Sequence, residues 1–431
     1  MEQSPLPIEA EITEVSGWPR RYTIVVLFAM ATAICYVDRV NISIAIIPLA
    51  HDRGYDEAAK GLVLSAFFWG YLWLQMLGGW LADRFGGKRV LAAGVALWSV
   101  ATLLTPPAAS ISFGVLLLMR ALLGAGEAVN FPAVHSIASR WTIESERARA
   151  ISLHFSGGPL GTVVALLLSP ILVINFGWPS VFYVSGMLGI VWLILWWIKA
   201  ADGPETCAGV SADELALIQA QRPEAPLADS IPWGAIFREK AVWAIVIAHL
   251  CNNFGFYILL LWLPSYLHHT FKVPMERLGT FAVIPYIGAF VMQNLSGWIA
   301  DSLQRRGMRL GTVRKMLQSA AFTLGGLPLL ALPAVHSPEA AVALVTICLG
   351  GTALGGGGFA VNHLDIAPRY AGILMGMSNT AATLPGIVGV AVTGFIVQVT
   401  GSFAAAFYLA TLVYAIGLIC YVTLGSGERK I

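Results

Sequence analysis

The sequence GWLADRFGGKR, from Gly79 to Arg89, is a short polar loop between two long apolar runs. Its glycines allow a tight turn, and its three cations suit the positively charged face of a membrane protein. Asp83 can pair with a basic residue or a helix end across the neighbouring helices. Such a contact would break and re-form as the helices move, so we assign Asp83 and Arg84 to a conformational latch.

The composition indicates an integral membrane protein. Of the 431 residues, 57% are hydrophobic and 12% are charged, whereas a soluble domain carries about 25% charged residues. The five cysteines are odd in number and show no metal-ligand spacing, so neither a disulfide framework nor a metal site is expected. The net charge of +2 gives no reason to expect a nucleic-acid partner. The polar, acidic N-terminus is not typical of a signal peptide.

The apolar runs predict an all-α membrane protein with twelve spanning helices, each near or above the ~20 residues that a bilayer requires. The predicted spans are 22–49, 60–83, 89–106, 111–138, 147–174, 179–199, 240–267, 277–300, 314–334, 339–361, 372–396 and 402–424. A proline-rich stretch with one helical candidate, 211–218, separates the sixth span from the seventh. The predicted organisation is a cytoplasmic tail (1–21), a six-helix bundle (22–199), a cytoplasmic linker (200–239), a second six-helix bundle (240–424) and a cytoplasmic tail (425–431).

Lysine and arginine residues orient the helices. An even number of spans puts both termini on one side, and 20 of the 26 Lys and Arg residues fall there, against four on the other side. Cationic loops concentrate in the cytoplasm, so both termini are predicted to be cytoplasmic. The two remaining cations, Arg39 and Arg120, lie inside spans.

The two halves of the chain repeat weakly. The pattern Gly79-x3-Asp83 recurs as Gly297-x3-Asp301 after the eighth span. Gly161, Phe182 and Tyr183 recur 225 residues later as Gly386, Phe407 and Tyr408. A six-plus-six repeat is typical of carriers that bind their substrate between two bundles, near the middle of the membrane.

Two pairs of charged residues lie within spans: Asp38 with Arg39 in the first, and Arg120 with Glu127 in the fourth. Charges at this depth are costly unless they face a partner or a water-filled cavity. Arg120 and Glu127 are seven residues apart and share one helix face, and the span directions put Arg39 and Arg120 at similar depth. Two arginines at one level attract an anion, and a guanidinium suits carboxylate or phosphate. Alternatively, the four groups neutralise each other as structural ion pairs.

Several motifs resemble one family. The loop at Gly79 fits the G-x3-D-R-x-G-x-K/R-R signature and resembles the major facilitator superfamily. DRVNISIA at 38–45, FFWGY at 67–71 and NHLDIAPRYAG at 362–372 are similar to the anion:cation symporter family. Within it, the chain resembles the group of sialin, the vesicular glutamate transporters and the plant plastid-type phosphate transporters, and FGWPSVFY at 176–183 and CNNFG at 251–255 add to the plant-type likeness. The resemblance implies coupled transport of an organic or inorganic anion.

The resemblance also implies roles for single residues: Arg39 and Arg120 bind the anion, and Asp38 and Glu127 bind the coupling cation. Residues expected to line the cavity are Tyr71, Phe131, Asn252, Asn253, Tyr257, Ser378 and Asn379. Further latch candidates are Asp301, Asp365 and Arg369. The vesicular glutamate transporters have an arginine where this chain has Asn252, which argues against glutamate as the substrate.

We therefore predict a secondary transporter that moves a small anion by alternating access with symport of H⁺ or Na⁺, and that needs no cofactor or metal. A proton-driven exporter or exchanger and an uncoupled facilitator or channel are the alternatives. No nucleophile-base set or nucleotide loop indicates an enzyme. The expected partners are the anion and the lipid bilayer, and the protein is predicted to be a monomer in the plasma (inner) membrane. The anion itself stays open between phosphate, a sugar acid, another carboxylate and a modified sugar.

Overall fold

The structure is a computed structural model that describes residues 18–220 and 232–431, apart from the side chains of Met76, Asp83, Glu144, Ser145, Arg147, Ala148 and Arg369. The predicted N-terminal tail and linker lie partly outside these ranges. Every regular element in them is helical, and the α-helices are α1 (Arg20–Arg53), α2 (Glu57–Phe85), α3 (Gly87–Ile111), α4 (Phe113–Ala128), α5 (Asn130–Trp141), α6 (Glu144–Phe176), α7 (Pro179–Lys199), α8 (Ala212–Ala220), α9 (Trp233–Arg238), α10 (Lys240–Phe271), α11 (Met275–Arg305), α12 (Leu310–Ala331), α13 (Pro338–Ala353), α14 (Phe359–Ile366), α15 (Ala371–Thr400) and α16 (Ala404–Leu424).

Eleven segments in the described ranges are long and apolar enough to cross a membrane. Two of these segments are interrupted, and they consist of α4 with α5 and of α13 with α14. The second predicted span corresponds to α2, a helix of 29 residues that packs against α4 and α15. The all-α membrane architecture predicted from the apolar runs is confirmed.

Polar caps and a glycine fix the helix ends at the loops between the first spans. Asp56 precedes α2, and its Oδ1 accepts a hydrogen bond from the Ala59 amide at 2.8 Å. Ser112 precedes α4, and its hydroxyl accepts a hydrogen bond from the Val115 amide at 3.3 Å. The chain leaves α1 at Gly54, whose φ of 67° lies in the left-handed region that glycine adopts without steric cost. These caps satisfy free amides of the first helical turns, so the chain can turn sharply there.

The two interrupted spans occupy corresponding places in the two halves. The fourth span breaks at Val129, and the tenth span leaves its first helix at Leu354, 225 residues later. That offset is the one at which the sequence repeats. At the second break, the Gly357 amide donates to Ser296 Oγ at 2.8 Å and the Phe359 amide donates to Gln318 Oε1 at 3.1 Å. Side chains from neighbouring helices therefore satisfy the amides that the break releases.

The linker helix α8 docks on the first half of the chain. The carboxylate of Glu214 accepts hydrogen bonds from the Arg20 and Arg21 amides, both at 3.0 Å. A carboxylate at the start of a helix is stabilised by the free amides and by the helix dipole. The helix predicted at 211–218 is confirmed as α8, and Ser211 Oγ accepts a hydrogen bond from the Glu214 amide at 3.1 Å.

The two halves touch along the end of the helices that lies away from the termini, here called the opposite end. The Glu57 amide at the start of α2 donates to Gln398 near the end of α15 at 3.0 Å. Nearby, Gly61 of α2 packs directly on the backbone of Gly394. Toward the termini-bearing end, by contrast, a Cβ added at Gly376 of α15 would meet open space. The described contacts therefore close the opposite end. The division into two six-helix bundles stays a prediction.

Candidate functional site

A buried ion pair joins α1 to α4. Arg39 donates from Nε and Nη2 to Oε2 of Glu127 at 3.0 and 2.8 Å, and the two side chains are 5% and 0% exposed. The Cys35 thiol donates to the same oxygen at 3.1 Å. Glu127 therefore pairs with the arginine of the first span, and not with Arg120 on its own helix. Because both charges are removed from water, losing either one would leave the other uncompensated.

Three aromatic rings enclose Arg39. Its Cζ lies 4.7 Å from the ring centroid of Tyr36 and 4.9 Å from the centroids of Phe67 and Tyr71. An aromatic face within about 6 Å of a guanidinium attracts it through the ring quadrupole. Tyr71, which was predicted to line the site, contacts Arg39. Tyr36 and Phe67 were not assigned from the sequence, although Tyr36 lies one helical turn before Arg39.

Among the residues that the structure describes, Arg120 has no such ion pair. Its Cζ lies 6.0 Å from the Phe67 ring centroid, so both buried guanidinium groups face that ring, and the residue is 1% exposed. Within the described part of the chain, its Nε and Nη1 have no hydrogen-bond partner. A buried charged donor without a partner is unfavourable, so Arg120 is the group in this site with the most to gain from an anion.

Glycines decide which face of α4 meets which neighbour. A Cβ on Gly124 would collide with the backbone of Phe67 on α2. A Cβ on Gly126 would lie 2.7 Å from the Trp98 amide nitrogen on α3. Small residues let membrane helices approach this closely. Because Gly124 faces α2 and Gly126 faces α3, the remaining face of α4 turns Glu127 toward α1.

Asp38 lies on a different face of α1 from Arg39, as the 100° step between successive helical residues predicts. Its side chain is fully buried, and neither oxygen accepts a hydrogen bond of normal geometry from the residues that the structure describes. The hydroxyl groups of Thr102 on α3 and Ser185 on α7 are its polar neighbours. The two acids assigned to the coupling cation therefore have different surroundings.

The second half contributes neutral polar groups. Ser378 Oγ of α15 lies 3.1 Å from His249 Nδ1 of α10 and 2.9 Å from His363 Nε2 of α14. Asn253 Nδ2 donates to a backbone carbonyl of α15 at 3.2 Å. Oδ1 of Asn252 is buried without a hydrogen-bond partner in the described ranges. These groups can hydrogen-bond a ligand without adding charge.

The other predicted lining residues of the second half lie on the same two helices. Tyr257 follows Asn253 by one turn of α10, and its ring centroid lies 4.6 Å from that of Phe68 on α2. Asn379 is half-buried beside Ser378. Tyr257 thus contacts the helix that carries Tyr71, and joins the aromatic side of the site.

Phe131 is not placed with the arginines. It follows the break in the fourth span and packs on His154 of α6, with ring centroids 4.9 Å apart. There His154 Nδ1 lies 2.7 Å from Thr32 Oγ1, and Asn130 Nδ2 donates to the same hydroxyl at 3.1 Å. This network was not predicted from the sequence. Its signal was the position of Thr32 one helical turn before Cys35, on the face of α1 that meets Glu127.

The latch residues have separate surroundings. Arg84 is exposed, with its Cζ 5.2 Å from the Trp80 ring centroid, and Asp301 is exposed near the end of α11. Asp365 accepts hydrogen bonds from Arg314 Nε and Nη2 at 2.7 and 3.2 Å, which ties α14 to α12 within the second half. The side chains of Asp83 and Arg369 lie outside the described residues. The latch stays a prediction.

Comparisons with known proteins show which proteins this chain resembles. The sequence profile of the Major Facilitator Superfamily matches residues 28–390. The ascorbate transporter, chloroplastic, of Arabidopsis thaliana is 42% identical over 427 residues, which are 98% of this chain and 79% of that protein. The sodium-dependent phosphate transport protein 1, chloroplastic, of the same plant is 42% identical over 414 residues, 96% of this chain and 81% of that protein.

A solved structure has the same fold. A bacterial homolog of the human lysosomal transporter Spinster, in an inward-facing and unoccupied conformation, superimposes with a TM-score of 0.71. The superposition covers 95% of this chain and 96% of that chain at 17% sequence identity. At this identity the likeness concerns the fold alone.

Proposed function

Because this chain belongs to the Major Facilitator Superfamily, we propose that it carries a small anion across a membrane by alternating access, in symport with a cation. It is a multi-pass membrane transporter and not an enzyme. The observation that carries the proposal is the buried guanidinium of Arg120, whose Nε and Nη1 have no partner among the described residues. A carboxylate or phosphate would supply the missing acceptors.

The Arg39–Glu127 pair supplies the switch in this proposal. The pair is closed in the structure, so Arg39 is engaged and Arg120 is the available cation. Loading of Asp38 or Glu127 with the coupling cation weakens the hold of the acids on the arginines. Arg39 then joins Arg120 in binding the anion, and the halves rock to expose it at the other end. Release of both ions restores the pair.

The relatives support two classes of anion. Their names are those of an ascorbate transporter and a phosphate transporter. Both ligands combine negative charge with further oxygen atoms, and the amides of Asn252 and Asn253 suit those neutral oxygens. We therefore propose phosphate or a hydroxylated organic anion as the substrate class.

The membrane and the orientation belong to the proposal as well. The names of both relatives place those proteins in the chloroplast, which favours a plastid membrane over the plasma (inner) membrane expected from the sequence. Lysine and arginine are in excess on the side of the membrane that bears the termini. This excess supports placing both termini on the side where positively charged loops are retained. We propose a monomer, since each of the predicted site residues is supplied by this chain.

Anion binding is tested by thermal unfolding of the purified protein. We expect phosphate, ascorbate or a sugar acid to raise the midpoint temperature of the wild type, because a ligand that binds only the folded state stabilises it. Arg120→Gln should abolish the shift, and Arg120→Lys should weaken it because an ammonium lacks the planar bidentate geometry. Arg305→Gln, at an exposed arginine at the end of α11, is the matched control. An unchanged shift in Arg120→Gln contradicts the proposed site.

The direction of transport is tested in proteoliposomes. Uptake of the anion that stabilises the protein is measured under an imposed proton or sodium gradient. Accumulation above the external concentration is the expected result. Export against the same gradient would favour the exporter, and flux that never exceeds equilibrium would favour the uncoupled facilitator.

A further inference from the structure

Two histidines and one serine connect three helices of the second half. Ser378 Oγ on α15 lies 2.9 Å from His363 Nε2 on α14 and 3.1 Å from His249 Nδ1 on α10. We call these three residues the histidine chain. A hydroxyl group has a single hydrogen, so Ser378 donates to one of the two rings and accepts from the other. The direction of donation along the chain therefore decides which nitrogen of each ring carries a hydrogen.

The backbone of α14 fixes the tautomer of His363. Its Nδ1 lies 3.0 Å from the carbonyl oxygen of Ala360, which can only accept, so Nδ1 carries a hydrogen. His363 is 2% exposed, and its two nitrogens contact a carbonyl and a hydroxyl, which are both neutral. A buried positive charge without a counter-charge is unfavourable, so the ring is neutral and Nε2 has a free lone pair.

Ser378 in turn sets the tautomer of His249. Its hydrogen is donated to the lone pair of His363 Nε2. The other acceptor within reach is the Met375 carbonyl at 3.1 Å, which lies within α15 and accepts a helical amide. Because the hydrogen of Ser378 is used, its oxygen accepts from His249, and His249 Nδ1 carries the hydrogen of a neutral ring. The second nitrogen, His249 Nε2, is then a hydrogen-bond acceptor.

His249 Nε2 is open to a ligand. His249 precedes Asn252 and Asn253 by three and four residues, so the three side chains share one face of α10. The imidazole packs on the Phe359 ring with centroids 5.0 Å apart, which holds its plane. His249 is half-buried, and in the described ranges its Nε2 has no hydrogen-bond partner and is not sealed from solvent.

We propose that His249 Nε2 accepts a hydrogen bond from a hydroxyl group of the transported anion, which makes His249 a specificity-determining residue. Arg120 binds the negative charge, and His249 selects anions that also have an O–H group, such as hydrogen phosphate, a hydroxy acid or a sugar acid. An anion without a hydroxyl would place an oxygen lone pair against the lone pair of Nε2. Ser378 and His363 are positioning residues. This selectivity rests on the proposed function, since it concerns the anion that Arg120 binds.

Phosphate and sulfate test the proposal, because both are tetrahedral anions and only phosphate keeps a hydrogen near neutral pH. The midpoint of thermal unfolding of the purified protein is followed against the concentration of each anion at constant ionic strength. We expect the half-saturating concentration of phosphate to be about ten- to a hundredfold lower than that of sulfate, because sulfate leaves Nε2 without a partner. Gluconate and hexanoate, which share chain length and charge, should differ in the same direction.

Two substitutions of His249 separate its ring nitrogens. His249→Asn keeps an amide near the position of Nδ1 but reaches no atom to that of Nε2, so phosphate should lose its advantage over sulfate. His249→Gln places an amide near Nε2 that can donate, so sulfate should bind about tenfold more tightly than in the wild type. Either variant is informative if the other does not fold. His269→Asn, at an exposed histidine near the end of α10, is the matched control and should keep the wild-type preference.

Ser378→Ala tests the positioning role of the histidine chain. It removes the group that fixes the tautomer of His249, so Nε2 can carry a hydrogen and the preference for phosphate over sulfate should fall. A merely structural role would weaken the binding of both anions by the same factor. Thr393→Val is the control on α15, because its buried hydroxyl donates to the Gly389 carbonyl at 2.8 Å and its loss should leave the preference unchanged.

The outcomes distinguish a failure of this inference from a failure of the proposed function. Equal half-saturating concentrations of phosphate and sulfate, with both effects lost in Arg120→Gln, would overturn the role of His249 and leave the anion site standing. A wild-type preference in both His249 variants would overturn it as well. If none of the four anions stabilises the wild type in a saturable way that depends on Arg120, the proposed function is contradicted and this inference with it.

Discussion

Arg39 and Arg120 are both buried against the Phe67 ring, yet within the described ranges only Arg39 has an acidic partner. The sequence could predict that the two arginines lie at similar depth, because span direction and helical rise are read along the chain. It could not predict which of them Glu127 would pair with. That choice depends on which neighbour each face of α4 meets, and Gly124 and Gly126 set it through close backbone contacts.

Glu127→Gln separates the role of Glu127 as a hydrogen-bond partner of Arg39 from its role as a switchable charge. Glutamine keeps a carbonyl oxygen for Arg39 but has no charge to switch. We expect concentrative uptake to be lost and counterflow exchange of the anion to persist, because exchange needs binding and rocking but no charge switching. Both are measured in proteoliposomes with the anion identified by thermal unfolding. Wild-type accumulation by Glu127→Gln contradicts the switch. Glu127→Ala, which leaves Arg39 unpaired, should cost about 3–5 kcal/mol of stability.

At the scale of the helix, α4 packs closely between α2 and α3. Gly124→Val puts a branched side chain against the Phe67 backbone, which a side-chain rotation does not relieve. We expect a loss of stability above the ~1–3 kcal/mol typical of an overpacked core. The measurement is the midpoint of thermal unfolding together with the yield of monodisperse protein. Gly114→Val on the same helix meets open space and should behave like the wild type. Equal losses of stability at both positions would contradict the close packing of α4 at Gly124.

The start of α1 is held by charges at the membrane surface. Arg21 Nε donates to Glu146 Oε2 at 2.8 Å, and the Tyr22 hydroxyl donates to Oε1 at 2.7 Å. Partial burial acts to raise the pKa of Glu146, but the hydrogen bonds from Arg21 and Tyr22 outweigh it and hold this pKa below its ordinary value. A carboxyl with a lowered folded pKa contributes stability that is present above its unfolded pKa of about 4.3 and lost as pH falls through the folded value.

Glu146→Gln tests this contribution through its pH dependence. We expect the wild type to unfold at a higher temperature than the variant near neutral pH, and the difference to shrink as the pH falls below about 4.3. Thermal unfolding of both proteins across that range is the measurement. A difference that stays constant with pH would show that the carboxylate charge contributes nothing.

The helix breaks mark the limit of sequence reasoning at this scale. The lengths of the apolar runs predicted the fourth and tenth spans as continuous, and each of them is interrupted. At the break in the tenth span, Ser296 and Gln318 from other helices accept hydrogen bonds from the freed amides. Such partners are distant in the chain, so no local pattern reveals them.

For the whole molecule, the span count, the fold class and the linker helix were predictable, because a bilayer imposes lengths that composition records directly. Which end of the carrier is closed in the structure was not predictable, since every major facilitator sequence must allow closure at either end. In the structure, Gly61 of α2 and Gly394 of α15 meet backbone to backbone at the opposite end. Glycine at both positions is what allows that approach.

Gly394→Val should shift the conformational population toward states that are open at the opposite end. Its Cβ would lie 2.5 Å from the Glu57 carbonyl oxygen, so the closed arrangement loses stability relative to the open one. Spin labels at the exposed positions Ile111 and Val399, on α3 and α15, report the distance between the halves there, with Cys207 and Cys420 replaced by serine. We expect longer distances in Gly394→Val. The same distribution in Gly394→Val and in Gly376→Val, which meets open space, would contradict this closure.

The four charged side chains of the candidate site, Asp38, Arg39, Arg120 and Glu127, add up to zero net charge. An empty carrier of this kind carries no net charge through the membrane field when it returns, so the membrane potential does not drive that step. The potential acts only on the excess charge of the ions being carried, at about 2.3 kcal/mol per charge per 100 mV. One monovalent anion with one sodium ion would therefore produce no current. A divalent anion with one sodium ion would produce one, so the current per transported anion reads out the stoichiometry of coupling.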